Sequence, residues 1–338
     1  MNTTPAVSGS IVDLMKSLAR PAYHAARAVL YYPKARQILK AYSSHYEAAR
    51  VVYRSNTKPD SQEASVLNVT LVERAEPGRP NPILSLPDHY PALVDRVHAA
   101  VREQLSWTRN CWFFPKLQES SLPDRMDDLP AVRNGEVIAV QLQDYQRVEG
   151  LEDLCQAVLP QLEARVFGAF LIVDKVYIYR NLPSRTSDQV SWLWHYDNHP
   201  SQIRKVMIYL TDVTDETGPF EYLRAPGTGI PLYIPPTPLS GYGRISRGMI
   251  ERRLAEGYQG YKVTGPKGTL VFFEENVVHK ANVAKQGCRD ALFFQIRPAT
   301  FRPDRYIDPR WTGSFQHQDF NPDPYDTQPY LKAGMLSG

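Results

Sequence analysis

The spacing of apolar residues changes part-way along the chain. Over residues 11–54, Ala35, Ile38, Leu39, Tyr42, Tyr46 and Ala49 recur at helical intervals, predicting helices. Pro21 and Pro33 interrupt that pattern, and each suits the first turn of a following helix. A strand is predicted over 65–75, then a Pro-rich turn and a helix over 88–107. A strand over 136–145 precedes a helix over 151–167, with Pro160 as its expected kink. From about residue 170 the period shortens. Eight apolar, β-branched and aromatic runs alternate with turns: DKVYIYRNL, QVSWLWHYD, IRKVMIYLTDV, PFEYLRA, GYKVTG, GTLVFF, NVVHKANV and DALFFQIRPA. So many short strands with little helix between them predict an antiparallel sandwich or jelly roll.

The expected organisation has three parts. Residues 1–150 form a helical and mixed region packed on the core, 151–300 form the jelly-roll core, and 301–338 form an irregular tail. Residues 228–258 are rich in Pro and Gly, then helical, and stand between two predicted strands as a candidate lid.

Composition adds a few exclusions. The 338 residues are 43% hydrophobic, enough for a sizeable core. A net charge of +3 argues against nucleic acid as the main partner. Residues 1–58 carry nine Lys and Arg against two acids, so a basic N-terminal face is a candidate for an acidic partner or self-association. A solvated helix face is the simpler reading of those charges. The three cysteines form no disulfide or zinc pattern, which suits a reducing compartment. No apolar run approaches the ~20 residues of a membrane span, and no secretory leader pattern heads the chain. A cytoplasmic enzyme or binding protein is expected.

The candidate chemistry lies in SWLWHYDNHP, residues 191–200. On a strand, His195 and Asp197 project to one face and Tyr196 to the other. An imidazole and a carboxylate make half of a metal site, and His279 in a later strand supplies a third ligand. Two histidines and one carboxylate on one side of a metal are the usual set of non-haem Fe(II) oxygenases. Zinc fits less well, because structural zinc prefers four protein ligands and often Cys. Arg289 opens the next apolar strand, where its guanidinium suits a two-pronged grip on a dicarboxylate. Arg297 has the same parity and is the competing clamp. Lys175 and Tyr179 lie on a strand with one face toward the same pocket, although packing explains the tyrosines equally well. Trp192 and Trp194 share the parity of Tyr196 and are read as packing, and His199 as the end of the strand. Cys288 is read as filler, and Arg244, Arg247, Arg252 and Arg253 as a solvated helix face.

The residues WHYD (194–197), YLTDVTDETGPFEYLRAPGT (209–228), KGTLVFF (267–273) and HKANVAKQGCR (279–289) resemble the 2-oxoglutarate/Fe(II)-dependent dioxygenases, in the phytanoyl-CoA dioxygenase-like branch. The resemblance covers about 170–300. It implies a double-stranded β-helix (jelly roll, cupin-like) core, mainly β with helical additions. It implies Fe(II) on His195, Asp197 and His279, with 2-oxoglutarate on Arg289 and O2 as second co-substrate. Asn282 matches a frequent Asn after the distal His, helping to order the co-substrate pocket. Gly229 stands where many members have His, and Thr269 replaces a common Asp. The implied reaction is hydroxylation, desaturation or cyclisation at an unactivated C–H, with succinate and CO2 as co-products. Asp197 argues against halogenation, since halogenating relatives usually lack that carboxylate. The alternatives are a cupin-like metal enzyme that does not use 2-oxoglutarate and a non-catalytic jelly-roll binding module.

Overall fold

A computed structural model describes residues 36–37, 39–56, 69–72, 86–117, 122–186, 190–236, 243–310 and 312. Most of the basic N-terminal stretch, with Pro21 and Pro33, lies outside them, as does the tail from 313 onward. Helix α1 covers residues 39–56. Strand β1 (Val69–Val72) is shorter than the predicted run. Helix α2 (Tyr90–Leu105) matches its prediction and carries Pro91 in its first turn, where a missing N–H costs nothing. Strands β2 (Cys111–Phe114) and β3 (Ala139–Leu142) form a hairpin-like pair, the first of them without a sequence prediction. A short helix α3 (Pro130–Arg133) lies between them. Helix α4 (Leu151–Leu162) keeps Pro160 inside and ends in a widened π turn over Glu163–Phe167.

The core strands follow as β4 (Phe170–Asn181), β5 (His195–Tyr196), β6 (Arg204–Tyr209), β7 (Phe220–Arg224), β8 (Gly243–Arg244), β9 (Gln259–Val263), β10 (Leu270–Glu274), β11 (His279–Ala281) and β12 (Arg289–Ala299). They form a seven-stranded sheet, β1-β10-β6-β12-β4-β3-β2, and a five-stranded sheet, β8-β5-β11-β7-β9. Leaving out β8 and the added strands β1 to β3, the chain crosses between sheets at nearly every step. Only β7 and β9 are successive core strands in the same sheet. Such wiring defines a jelly roll. Phe220 and Tyr222 of the smaller sheet pack on Met207, Tyr209, Val271, Phe273 and Ala291 of the larger, closing the sandwich.

One sequence expectation needs correction. QVSWLWHYD is not one strand: Val190–Trp192 is a 3₁₀ turn, and only His195–Tyr196 pairs. The 228–258 insertion, read from the sequence as a candidate lid, adds elements of its own. Within it β8 pairs with β5 (Arg244 opposite His195), and a helix α5 (Arg247–Ala255) follows, capped by the Ser246 hydroxyl.

The outer face of the larger sheet carries Val206, Ile208, Leu270, Phe272, Leu292, Phe294 and Ile296. These pack against Val94, Val97 and Val101 of α2 and Leu154 and Val158 of α4. The register shifts between Gln295 and Ile296 of β12, leaving Asp174 as an extra residue on β4. Leu171 and Val173 therefore belong to the outer core before that bulge. After it the parity reverses, and Lys175, Tyr177 and Tyr179 turn inward. No helix among the described residues is long and apolar enough to cross a membrane.

Candidate metal centre

Strands β5 and β11 are antiparallel neighbours, and His195 lies directly opposite His279. Their ring centroids are 4.3 Å apart. Each Nδ1 hydrogen-bonds a carbonyl two residues back, His195 to Leu193 at 2.8 Å and His279 to Val277 at 2.7 Å. A carbonyl only accepts, so Nδ1 carries the proton and Nε2 keeps its lone pair. Both Nε2 atoms approach the Asp197 carboxylate, at 3.8 Å each. One ligand atom from each of the three residues lies within 4.8 Å of the others, a set able to hold a metal ion.

Asp197 is placed by its backbone. Its N–H donates to Glu275 O at 2.9 Å. The next residue, Asn198, is buried and left-handed, with φ 57°, which turns the chain out of β5 at once. Lys205 Nζ donates to Asp197 Oδ2 at 2.7 Å and lies 3.5 Å from Glu275. Burial alone pushes the Asp197 carboxyl up. Lys205 above all, then the imidazoles, outweigh it and hold the group well below the usual carboxylate range. Burial, then the neighbouring His195, lowers His279 to about 3. The set thus combines a neutral His279 imidazole and an ionised Asp197 carboxylate with the His195 imidazole.

Arg289 lies on the same inner face and is 3% exposed. Its guanidinium stands 6.0 Å from the Tyr209 ring, and its Nε and Nη1 have no partner among the described residues. A buried guanidinium with two orphaned donors is costly unless an anion takes them. Arg297, the competing clamp, is eight residues further along β12 and pairs with Asp174 at 3.3 Å.

No family model matches the chain, and no curated protein does. Among solved structures, similarity extends to the epimerase SnoN in complex with Fe3+, alpha ketoglutarate and nogalamycin RO. That pair shares 17% identity over 63% of this chain and 77% of the other, at a TM-score of 0.42. The non-heme alpha ketoglutarate dependent carbocyclase SnoK from nogalamycin biosynthesis shares 20% identity over 62% and 76%, at 0.41. EctD from S. alaskensis with 2-oxoglutarate and 5-hydroxyectoine shares 15% over 62% and 69%, at 0.36. All three scores are low, so residue roles rest on the geometry of this chain.

The remaining sequence candidates fall in three places. Tyr179 faces inward, stacked on Tyr177 at 6.1 Å and edge-on to Phe293 at 5.8 Å. Asn282 donates to Pro219 O at 2.9 Å and so ties the end of β11 to the start of β7. Lys175 lies in one row with Lys205, at the metal end of the larger sheet. His199 donates to Glu275, supporting the group that Lys205 also contacts. Trp192 packs with Phe114, Ile138 and Ala281, and Trp194 in a separate cluster with Leu223, Ile250 and Val278. Both therefore pack, although strand parity explains neither, since both precede β5. Sequence reasoning missed Lys205 and Glu275. Lys205 could have been found as a charge sharing strand parity with Met207 and Tyr209. Glu275 follows the end of β10 and had no such signal.

Proposed function

We propose that this protein is an Fe(II)/2-oxoglutarate-dependent oxygenase acting on a small organic substrate. The observation that carries the reading is the conjunction of two features in one barrel. His195, Asp197 and His279 converge three donors, and Arg289 presents two unpaired buried donors on the same inner face. The triad leaves neighbouring positions for exchangeable ligands, and the guanidinium matches one end of a dicarboxylate. Bound Fe(II) with 2-oxoglutarate supplies the oxidative chemistry, using O2 and releasing succinate and CO2.

The chain's own residues prepare that chemistry. Leu193 and Val277 carbonyls fix both imidazoles with Nε2 toward the ion. Lys205 engages Asp197 Oδ2, leaving Oδ1 as the freer donor. Arg289 orients the co-substrate through its distal carboxylate, with Tyr209 beside it and Tyr179 lining the wall. Asn282 keeps the β11 end in place. Because Asp197 occupies the third ligand position, the reaction proposed is hydroxylation, desaturation or cyclisation, not halogenation. A cupin-like enzyme without 2-oxoglutarate, or a binding module, would leave the orphaned donors of Arg289 unexplained.

The test is anaerobic titration of the protein with Fe(II) and 2-oxoglutarate, then succinate release in air across a substrate panel. Absence of both Fe(II) and 2-oxoglutarate binding would overturn the reading.

A further inference from the structure

Lys175 has an unusual position for a lysine. It is 7% exposed, on the inner face of β4, and its ammonium has no hydrogen bond or ion pair among the described residues. The carboxylates around it pair with other groups, while Asp174 Oδ1 and Glu275 Oε1 accept no hydrogen bond among the described residues. Asp174 accepts from Gln295 at 2.8 Å and pairs with Arg297. Asp197 and Glu275 share Lys205, and Glu275 also accepts from His199. The buried and half-buried charges of this inner region are Lys175, Lys205, Arg289 and Arg297 against Asp174, Asp197 and Glu275. A divalent cation and a dicarboxylate add equal and opposite charges, so one positive charge remains. An unpaired buried ammonium is unfavourable until an anion joins it.

Register separates this lysine from the co-substrate clamp. Phe273, Lys205, Gln295 and Lys175 form one row across β10, β6, β12 and β4. Arg289 pairs with Asn181, six residues along from the Gln295–Lys175 pair. Six residues of strand span ~20 Å, and side chains stand roughly perpendicular to the sheet. Arg289 and Lys175 therefore do not grip one and the same carboxylate. Lys175 instead shares the row of the lysine that holds Asp197. Tyr177 and Tyr179 stand next to it on the same face, stacked on one another, with Phe293 and Phe114 beside Tyr179.

We infer that Lys175 is a substrate-binding residue, and that the primary substrate presents a carboxylate or phosphate to it while a flat apolar body rests on the tyrosines. The inference rests on the oxygenase reading for the word substrate, and on the geometry alone for the anion. Its test is calorimetric titration of the full chain with 3-phenylpropionate, phenyl phosphate and uncharged 3-phenylpropionamide. Anaerobic Fe(II)·2-oxoglutarate binding is measured in parallel, and folding is checked by circular dichroism. Wild type should bind at least one anionic probe about tenfold or more tightly than the amide, roughly the value of one charge-assisted hydrogen bond. The tighter of the two anions identifies the charged group. Lys175→Met should erase the preference, Lys175→Arg should restore it, and 2-oxoglutarate affinity should stay within twofold throughout. No anion preference in wild type, or one that survives Lys175→Met, overturns the inference. So does a loss of 2-oxoglutarate affinity in Lys175→Met. If wild type fails to bind 2-oxoglutarate while the preference still follows Lys175, the oxygenase reading fails and the anion site stands.

Discussion

The two faces of the larger sheet are built from alternate residues of the same strands, yet they differ in kind. Outward, Val206, Ile208, Leu292 and Phe294 meet the helices in a dry core. On that side Arg180 grips both oxygens of Asp290 at 2.7 Å. Inward, Lys175, Lys205, Tyr177, Tyr179 and Arg289 interrupt the apolar surface, and two of the cations lack full pairing. A period of two thus lets one strand stabilise the fold with one set of side chains and carry chemistry with the other. The outer set should respond to mutation through stability, the inner set through ligands.

Phe272→Ala offers the largest expected effect on the outer side. It should cost about 3–5 kcal/mol in denaturant unfolding while Fe(II) affinity of the folded protein is unchanged. A parallel fall in iron affinity would break the division. On the inner side, His279→Ala should lower Fe(II) affinity by roughly 100-fold or more in direct titration, with the fold retained. Arg289→Ala should weaken 2-oxoglutarate ~30-fold and leave Fe(II) binding intact.

Glu163, below β4 on the outer side, sharpens the contrast through pH. Burial pushes its carboxyl up to about 7, against the opposing hydrogen bond from Leu171 N–H at 2.8 Å. A raised folded-state pKa means the native protein holds the proton longer than the unfolded chain. Stability from this group is therefore full below about pH 4.5 and is lost as pH rises through about 7. Glu163→Gln should flatten that decline, by about 1–2 kcal/mol at neutral pH, in unfolding measured across the range. The smallest effect is expected at Arg247, 93% exposed and paired only with Glu251. Arg247→Ala should change stability by less than about 0.5 kcal/mol.

Much of this was legible in the sequence because alternation and spacing are local. The runs from PFEYLRA to DALFFQIRPA became strands, and the i, i+2 relation of His195 and Asp197 survives in the metal set. Pairing across the sheet is not local. Nothing in the chain announces that Arg244 lies opposite His195, or that Lys205 reaches Asp197. The WLWHYD run misled because its apolar content reflects burial of a 3₁₀ turn and a bend, not a long ladder. The bulge at Asp174 was also invisible, and it decides which side Lys175 faces.

Asn198 limits which sequences can preserve this centre. Its positive φ turns the backbone two residues beyond the end of β5, directly after Asp197. Most side chains resist that conformation, whereas Gly, Asn and Asp adopt it at least cost. A randomised library at position 198 should therefore collapse to those few residues. Backbone geometry one residue beyond a ligand thus narrows the sequences that can keep the ligand in place.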